Sequence, residues 1–166
     1  DKVIEVNGEK VTADKIFVAT GALPSSPPIE GLDKVPFWTS TEALRNTKQP
    51  KKLLVIGGGY IACELGHAYG ALGTDVHFIV RSSLIRREDS EIVKEFTKEF
   101  SKQYNIHLGS PVKVSHKNKE FTIEIEDKAG KKTLLKGDAL LVATGVKPNT
   151  DKLGLENQKI KTNKRG

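Results

Sequence analysis

Residues 51–56 (KKLLVI) run directly into Gly57-Gly58-Gly59, and residues 60–72 follow with helical spacing. Few folds accept that order. A short apolar run of this kind is strand-sized, and glycine weakens either regular element, so the pattern predicts a strand that turns sharply into a helix. Within Gly57-x-Gly59-x-x-Ala62 each small residue has a physical task. Gly57 permits the tight turn out of the strand. Gly59 lets the backbone approach a diphosphate with no Cβ in the way, and Ala62 lets the helix lie against the strand. The helix N-terminus then offers unpaired N–H groups and a partial positive charge. A second strand, Asp75–Val80, falls at the distance a dinucleotide-binding unit requires. Gly58, Tyr60 and Ile61 complete the stretch expected to touch the ligand.

The rest of the chain is consistent with one α/β domain and some flanking chain. Val3–Val6 meets Asn7-Gly8, a hairpin signal. Residues 15–20 (KIFVAT) read as a buried strand ending at Gly21, and the proline-rich run 23–28 reads as a linker, neither helix nor sheet core. Residues 39–46 read as a short helix with Ser40 or Thr41 as N-cap. On the helix at 60–72 the apolar stripe is Ile61, Leu65, Ala68 and Leu72. Beside it runs a small stripe, Ala62, Gly66 and Gly70, that lets the helix approach a sheet, and Gly73 ends the helix. Ile92, Phe96, Phe100 and Tyr104, four apart, predict a second helix over 90–104. The period then changes to two over 112–114, 121–125 and 133–135, an antiparallel meander, before a last buried strand at 139–144. The tail, 147–166, is polar and has no core pattern. The expected architecture is a Rossmann-like, three-layer α/β domain with a central parallel sheet and an antiparallel β-meander.

The second strand decides between the two nicotinamide cofactors. An acid at its end would bond the adenosine ribose hydroxyls and repel a 2′-phosphate; an arginine there does the reverse. Asp75 begins the strand and so lies at the wrong end. The strand ends at Val80 and Arg81-Ser82-Ser83-Leu84-Ile85-Arg86-Arg87 follows. Arg81 and Arg87 can clamp a phosphate from two sides, with a hydrogen bond from the Ser82 hydroxyl. The alternative is a set of solvated loop charges, paired with Glu88 and Asp89; for Arg86 that alternative is preferred. NADP(H) is therefore favoured over NAD(H).

These residues resemble a known family. Gly57-Gly58-Gly59-Tyr60-Ile61-Ala62-Cys63-Glu64 is similar to the NAD(P)-domain motif of the pyridine nucleotide-disulfide oxidoreductases, which include dihydrolipoamide dehydrogenase and the glutathione, mercuric and mycothione reductases. Ile16–Gly21, with Ala19-Thr20-Gly21 and Pro24, resembles the segment closing the family's first FAD-binding stretch. Ala143-Thr144-Gly145 with Pro148-Asn149 resembles its second such segment. The resemblance implies remnants of an FAD-binding domain flanking the core: residues 1–30 as the end of the first FAD segment plus linker, 31–146 as the NAD(P)-binding domain, and 147–166 as the start of the return. It implies that Ala19, Thr20 and Gly21 touch FAD in the longer protein, and that Ala143, Thr144 and Gly145 belong to the cofactor-binding set. Tyr60 would cover the nicotinamide pocket, and Glu64 would sit near the nicotinamide or bond a basic residue by the flavin; a surface charge favoured by the helix dipole is the plain alternative for Glu64. The spacing of Arg81 and Arg87 looks most like the NADPH-dependent members. Val146, where disulfide reductases commonly carry Arg, leaves open an NADH oxidase or coenzyme A-disulfide reductase type. A different class, a stand-alone nucleotide-binding module, fits the two half-segments at the ends less well. Neither the family's redox-active cysteine pair nor its His–Glu acid/base pair is present, so no catalytic residue is expected in this segment, and the longer protein would be a flavin-dependent NAD(P)H:disulfide oxidoreductase of the dihydrolipoamide dehydrogenase kind and a homodimer.

Composition excludes other classes. The net charge is +6, but lysines are scattered and aromatics are only 6% of residues, so nucleic acid is not an expected partner. No apolar run approaches the ~18–20 residues of a membrane span. A single cysteine, Cys63, cannot form an intrachain disulfide and reads as a small buried hydrophobe, which fits a cytoplasmic origin. The four histidines have no metal-ligand spacing and read as structural or exposed. The N-terminus does not read as a signal peptide, and the missing initiator Met suggests a segment cut from a longer chain.

Overall fold

A computed structural model describes residues 2–163; the last three residues of the polar tail lie outside them. Eleven strands and three α-helices occur in this order: β1 Val3–Val6, β2 Glu9–Thr12, β3 Ala22–Pro24, α1 Ser40–Arg45, β4 Lys52–Ile56, α2 Tyr60–Ala71, β5 Asp75–Val80, α3 Ser90–Phe100, β6 Asn105–Leu108, β7 Ser110–Lys117, β8 Glu120–Glu126, β9 Lys132–Gly137, β10 Ala139–Val142 and β11 Val146–Pro148. The chain divides into two compact units, one of residues 24–145 and one of 1–23 with 146–166.

The larger unit is built on a parallel sheet in the order β10-β4-β5-β6. Strands β10, β4 and β5 are largely buried on both faces, as strands of a covered parallel sheet must be, whereas β6, at one edge, is partly exposed; their alternation divides the core in two. Leu53, Val55, Val76, Phe78, Val80 and Leu141 face the helices. Leu54, Ile56, Ile79, Leu140 and Val142 face the antiparallel meander β7-β8-β9, meeting Val114, Phe121, Ile123 and Ile125. The expected three layers and meander are therefore present.

Helix α2 lies on the sheet by its small stripe, as expected, but its apolar stripe is corrected. The buried face is Ala62, Cys63, Gly66 and Tyr69, whereas Leu72 is 70% exposed and Ala68 is exposed. The reason is space. A Cβ on Gly66 would stand 2.3 Å from Phe78 Cζ, and one on Gly70 2.4 Å from Tyr104 Cε1. The large volume at this interface comes from aromatic rings on β5 and beyond α3, so the helix contributes the small residues. Gly73, at φ 96, does end α2. Helix α3 stops at Phe100, and Tyr104 reaches the same core from the turn beyond it.

Helix α1 is capped one residue earlier than expected. Thr39, not Ser40 or Thr41, is the N-cap: its hydroxyl accepts from the Thr41 N–H at 3.2 Å, and its own N–H donates to Glu42 Oε2 at 2.8 Å. This is a capping box, in which the acid three residues on decides among neighbouring hydroxyls. The hydrogen bonds from Thr39 hold the Glu42 carboxyl below the usual carboxylate range.

In the smaller unit, β1 and β2 form the expected hairpin, with Asn7 and Gly8 both at positive φ. Two sequence expectations fail there. Residues 15–20 are not a strand and are exposed throughout, Phe17 at 88%. An apolar run becomes a strand only when a neighbour supplies its ladder, and among the described residues none pairs with it. The stretch read as pure linker contains a short strand, β3, which pairs with β11. Pro24 is tolerated because both strands of this two-stranded sheet are edges.

The histidines of the sheet are structural, as expected, but paired. His77 Nδ1 and His107 Nε2 lie 2.8 Å apart in nearly parallel rings, and His77 Nε2 donates to Asp75 Oδ2 at 3.1 Å. Asp75 also meets Lys52 at 3.1 Å. Burial, then the charges of His77 and Lys52, lower the His107 pKa from the ordinary 6.5. A base with a depressed folded pKa takes up protons more readily unfolded, so its contribution is present above pH 6.5 and lost as pH falls through the folded value. Melting temperature is expected to drop as the medium is acidified from neutrality to about pH 5, and to drop less in His107→Gln. Parallel declines in the two proteins would contradict this.

Candidate functional site

The parallel strand β4 ends at Ile56, and the chain leaves the sheet through Gly57 at φ 137. Its N–H still donates to Ile79 O at 3.1 Å, so the turn begins while the backbone is held by β5. A Cβ on Gly57 would lie 2.3 Å from Ala143 O, just beyond β10. The turn thus backs onto the last strand with no room for a side chain. Gly59, the N-cap of α2, has nothing within 4 Å of the place its Cβ would occupy. Close packing behind Gly57 and open space before Gly59 are what a bare backbone cradle requires.

The first α2 bond runs from the Cys63 N–H to Gly59 O at 3.0 Å. The amides of Tyr60, Ile61 and Ala62 have no backbone acceptor among the described residues, as at any helix start. Gly58 O accepts from the Ile85 N–H at 2.6 Å. A trans peptide carries its N–H opposite its C=O, so the Gly59 N–H faces away from that bond. Tyr60, 65% exposed, and Glu64, also exposed, stand on the open side of the first helical turns. Cys63 is buried, and desolvation, with a smaller effect of the Glu64 charge, pushes its thiol up to about 11, which leaves it inert.

Strand β5 ends at Val80, and Arg81 follows at the same end of the sheet as the glycine turn. Asp75 opens the strand and is engaged with Lys52 and His77, as its position suggested. Arg81, Ser82, Arg86 and Arg87 are all exposed. Among the described residues no carboxylate pairs with these arginines. Asp89, one expected alternative partner, instead caps α3 by accepting from the Glu91 N–H at 2.8 Å. The loop's cations are available to an anion.

The other expected site residues divide. Ala143 abuts the turn. The Thr144 hydroxyl donates to Ser25 O at 2.8 Å, and Gly145 O accepts from the Ser25 N–H at 2.9 Å, so both are engaged with their own chain. In the smaller unit Thr20 donates to Asn149 O at 2.8 Å, and Gly21, at φ 72, accepts from the Asn149 N–H at 2.9 Å; Ala19 is exposed. Sequence reasoning missed Leu84 and Ile85, which moor the arginine loop. The signal available was an apolar pair inside an otherwise charged loop. Among the described residues there is no group of metal-ligating side chains able to hold an ion, and no helix is long and apolar enough to cross a membrane.

A parallel sheet whose strand β4 runs through a glycine turn into helix α2 defines an α/β fold of the Rossmann-like kind. The chain belongs to the pyridine nucleotide-disulphide oxidoreductases, whose family model matches residues 1–166. It is 41% identical to the mercuric reductase of Staphylococcus aureus over 100% of its own length and 31% of the relative's. To that of Shewanella putrefaciens it is 42% identical over 95% of its length and 28% of the relative's. Among solved structures, the HOCl-induced flavoprotein disulfide reductase RclA from Escherichia coli superimposes with a TM-score of 0.87 at 31% identity, over 99% of this chain and 38% of that one. The chain thus spans about a third of the length of the proteins it matches. The family is one of flavin- and pyridine-nucleotide-dependent oxidoreductases.

Proposed function

We propose that residues 24–145 hold the nicotinamide dinucleotide of a flavin-dependent reductase, with NADPH preferred to NADH. The observation that carries this reading is the glycine turn at the end of β4. Its back is closed by Ala143 and its front is open, with the amides of Tyr60, Ile61 and Ala62 beyond it. A diphosphate fits there because Gly59 leaves room for it and the start of α2 favours negative charge. Arg81 and Arg87, with Ser82, take the 2′-phosphate, and Tyr60 and Glu64 flank the nicotinamide end. Bound there, the dinucleotide supplies a hydride from nicotinamide C4 to a flavin carried by the rest of the protein. The chain's own residues bind and orient; none in this segment moves a proton in the chemistry.

Residues 1–23 and 146–166 are read as the parts of an FAD-binding domain, with Ala19, Thr20 and Gly21 on the flavin nucleotide. The relatives are named mercuric reductases, which supports mercuric ion as the electron acceptor of the whole protein rather than dihydrolipoamide. A homodimer in the cytoplasm is the assembly and location that go with this reading. The test is direct titration of the chain with NADPH and with NADH. Tighter NADPH binding is expected; equal affinities would overturn the cofactor preference, and binding of neither would overturn the site.

A further inference from the structure

Leu84 and Ile85 belong to no regular element, yet they are the most constrained residues of the loop after β5. Leu84 is 1% exposed, within the helix-side core, whereas loops ordinarily run over the surface. Ile85 has φ 38, a left-handed conformation that a β-branched side chain avoids. The other non-glycine residues with positive φ among those described are Asn7, Asn118, Lys119 and Lys159, none of them β-branched. Such a conformation persists only where its surroundings over-determine it. Here the buried Leu84 side chain holds one side. The bond from the Ile85 N–H to Gly58 O holds the other, and the Glu88 N–H closes the next turn on Ile85 O at 2.9 Å. Gly58 is also where turn and loop meet most closely: a Cβ there would stand 2.8 Å from Val80 Cγ1 and 3.3 Å from Ser83 O.

We infer that Ile85, anchored by Leu84, is a positioning residue for cofactor selection: its bond to Gly58 sets the spacing between the diphosphate turn and the Arg81, Ser82 and Arg87 groups. This rests on the NADPH reading above. Long cationic side chains without fixed partners bind a phosphate well only when their backbone is already in register, because ordering a free loop on binding costs affinity. A cofactor with a bare 2′-hydroxyl depends on that register far less.

Ile85→Pro removes the N–H and fixes φ near about −65°. Ile85→Asn keeps the N–H and tolerates the left-handed backbone. In titrations of the chain, Ile85→Pro is expected to lower the NADPH-to-NADH affinity ratio about tenfold, the effect of one charge-assisted contact. Ile85→Asn is expected to keep the wild-type ratio. Leu84→Ala, which shortens the anchor without altering the backbone donor, must lower the ratio too and serves where Ile85→Pro does not fold. A purely structural role would weaken both cofactors together and leave the ratio unchanged, overturning the assignment. A wild-type chain with no NADPH preference overturns the cofactor reading and this role with it. A wild-type preference that survives Ile85→Pro or Leu84→Ala overturns this role alone.

Discussion

Arg81→Glu is expected to lose about 1.5–3 kcal/mol of NADPH binding while NADH binding holds or improves. Arg81 stands one residue beyond β5, exposed and with no carboxylate partner among the described residues. The substitution removes one charge-assisted contact to the 2′-phosphate and puts a like charge in its place. The same carboxylate can accept from the ribose hydroxyls of NADH, so the two cofactors should move in opposite directions. Calorimetric titration of the variant with each measures this. An equal change for both would mean that Arg81 acts through general charge. No change in either would return the loop to the alternative of solvated surface arginines.

Gly57→Ala is expected to destabilise the larger unit by about 3 kcal/mol or more, combining backbone strain with a close contact. At φ 137 an L-residue is strained wherever it sits, and here its Cβ would lie 2.3 Å from Ala143 O, a backbone atom that cannot swing aside. Relief requires β4 and β10 to separate where the sheet is buried on both faces. Gly145→Ala separates the two causes. Gly145 is at φ 130, close to the value at Gly57, with nothing within 4 Å of its Cβ site. It should show the strain without the clash and cost markedly less. Urea unfolding curves with equal slopes and shifted midpoints would measure the difference; equal midpoints for the two variants would contradict the packing argument.

The parallel core could be read from residues alone because its signals are local. Asp75–Val80 is a buried run flanked by Gly73 and a charged loop, and the strand bounds agree with that reading. The glycine turn was legible for the same reason, since what each small residue permits depends on backbone within a few positions. Elements that depend on a distant partner were not. Residues 15–20 have the composition of a strand, but composition cannot say whether a neighbour will pair with them. The small stripe of α2 was legible, but Leu72 and Ala68 were wrongly placed inward, because the volume facing Gly66 and Gly70 comes from rings, Phe78 and Tyr104, that lie elsewhere in the chain. Asp75, His77 and His107 look unrelated in sequence and become a hydrogen-bonded row only once β5 and β6 pair. In the candidate site, the glycine turn and the exposed arginines after β5 were readable. The bond from Ile85 to Gly58, which spans the helix and strand between them, was not.

The most direct measurement is the amide NMR spectrum of the chain with and without NADP⁺. If bare backbone after β4 carries the diphosphate, the resonances of Gly58, Gly59, Tyr60 and Ile61 should move most, with Arg81 and Ser82 next, while those of the meander stay in place. Shifts gathered on β7–β9, or a glycine turn that does not respond at saturating cofactor, would contradict it.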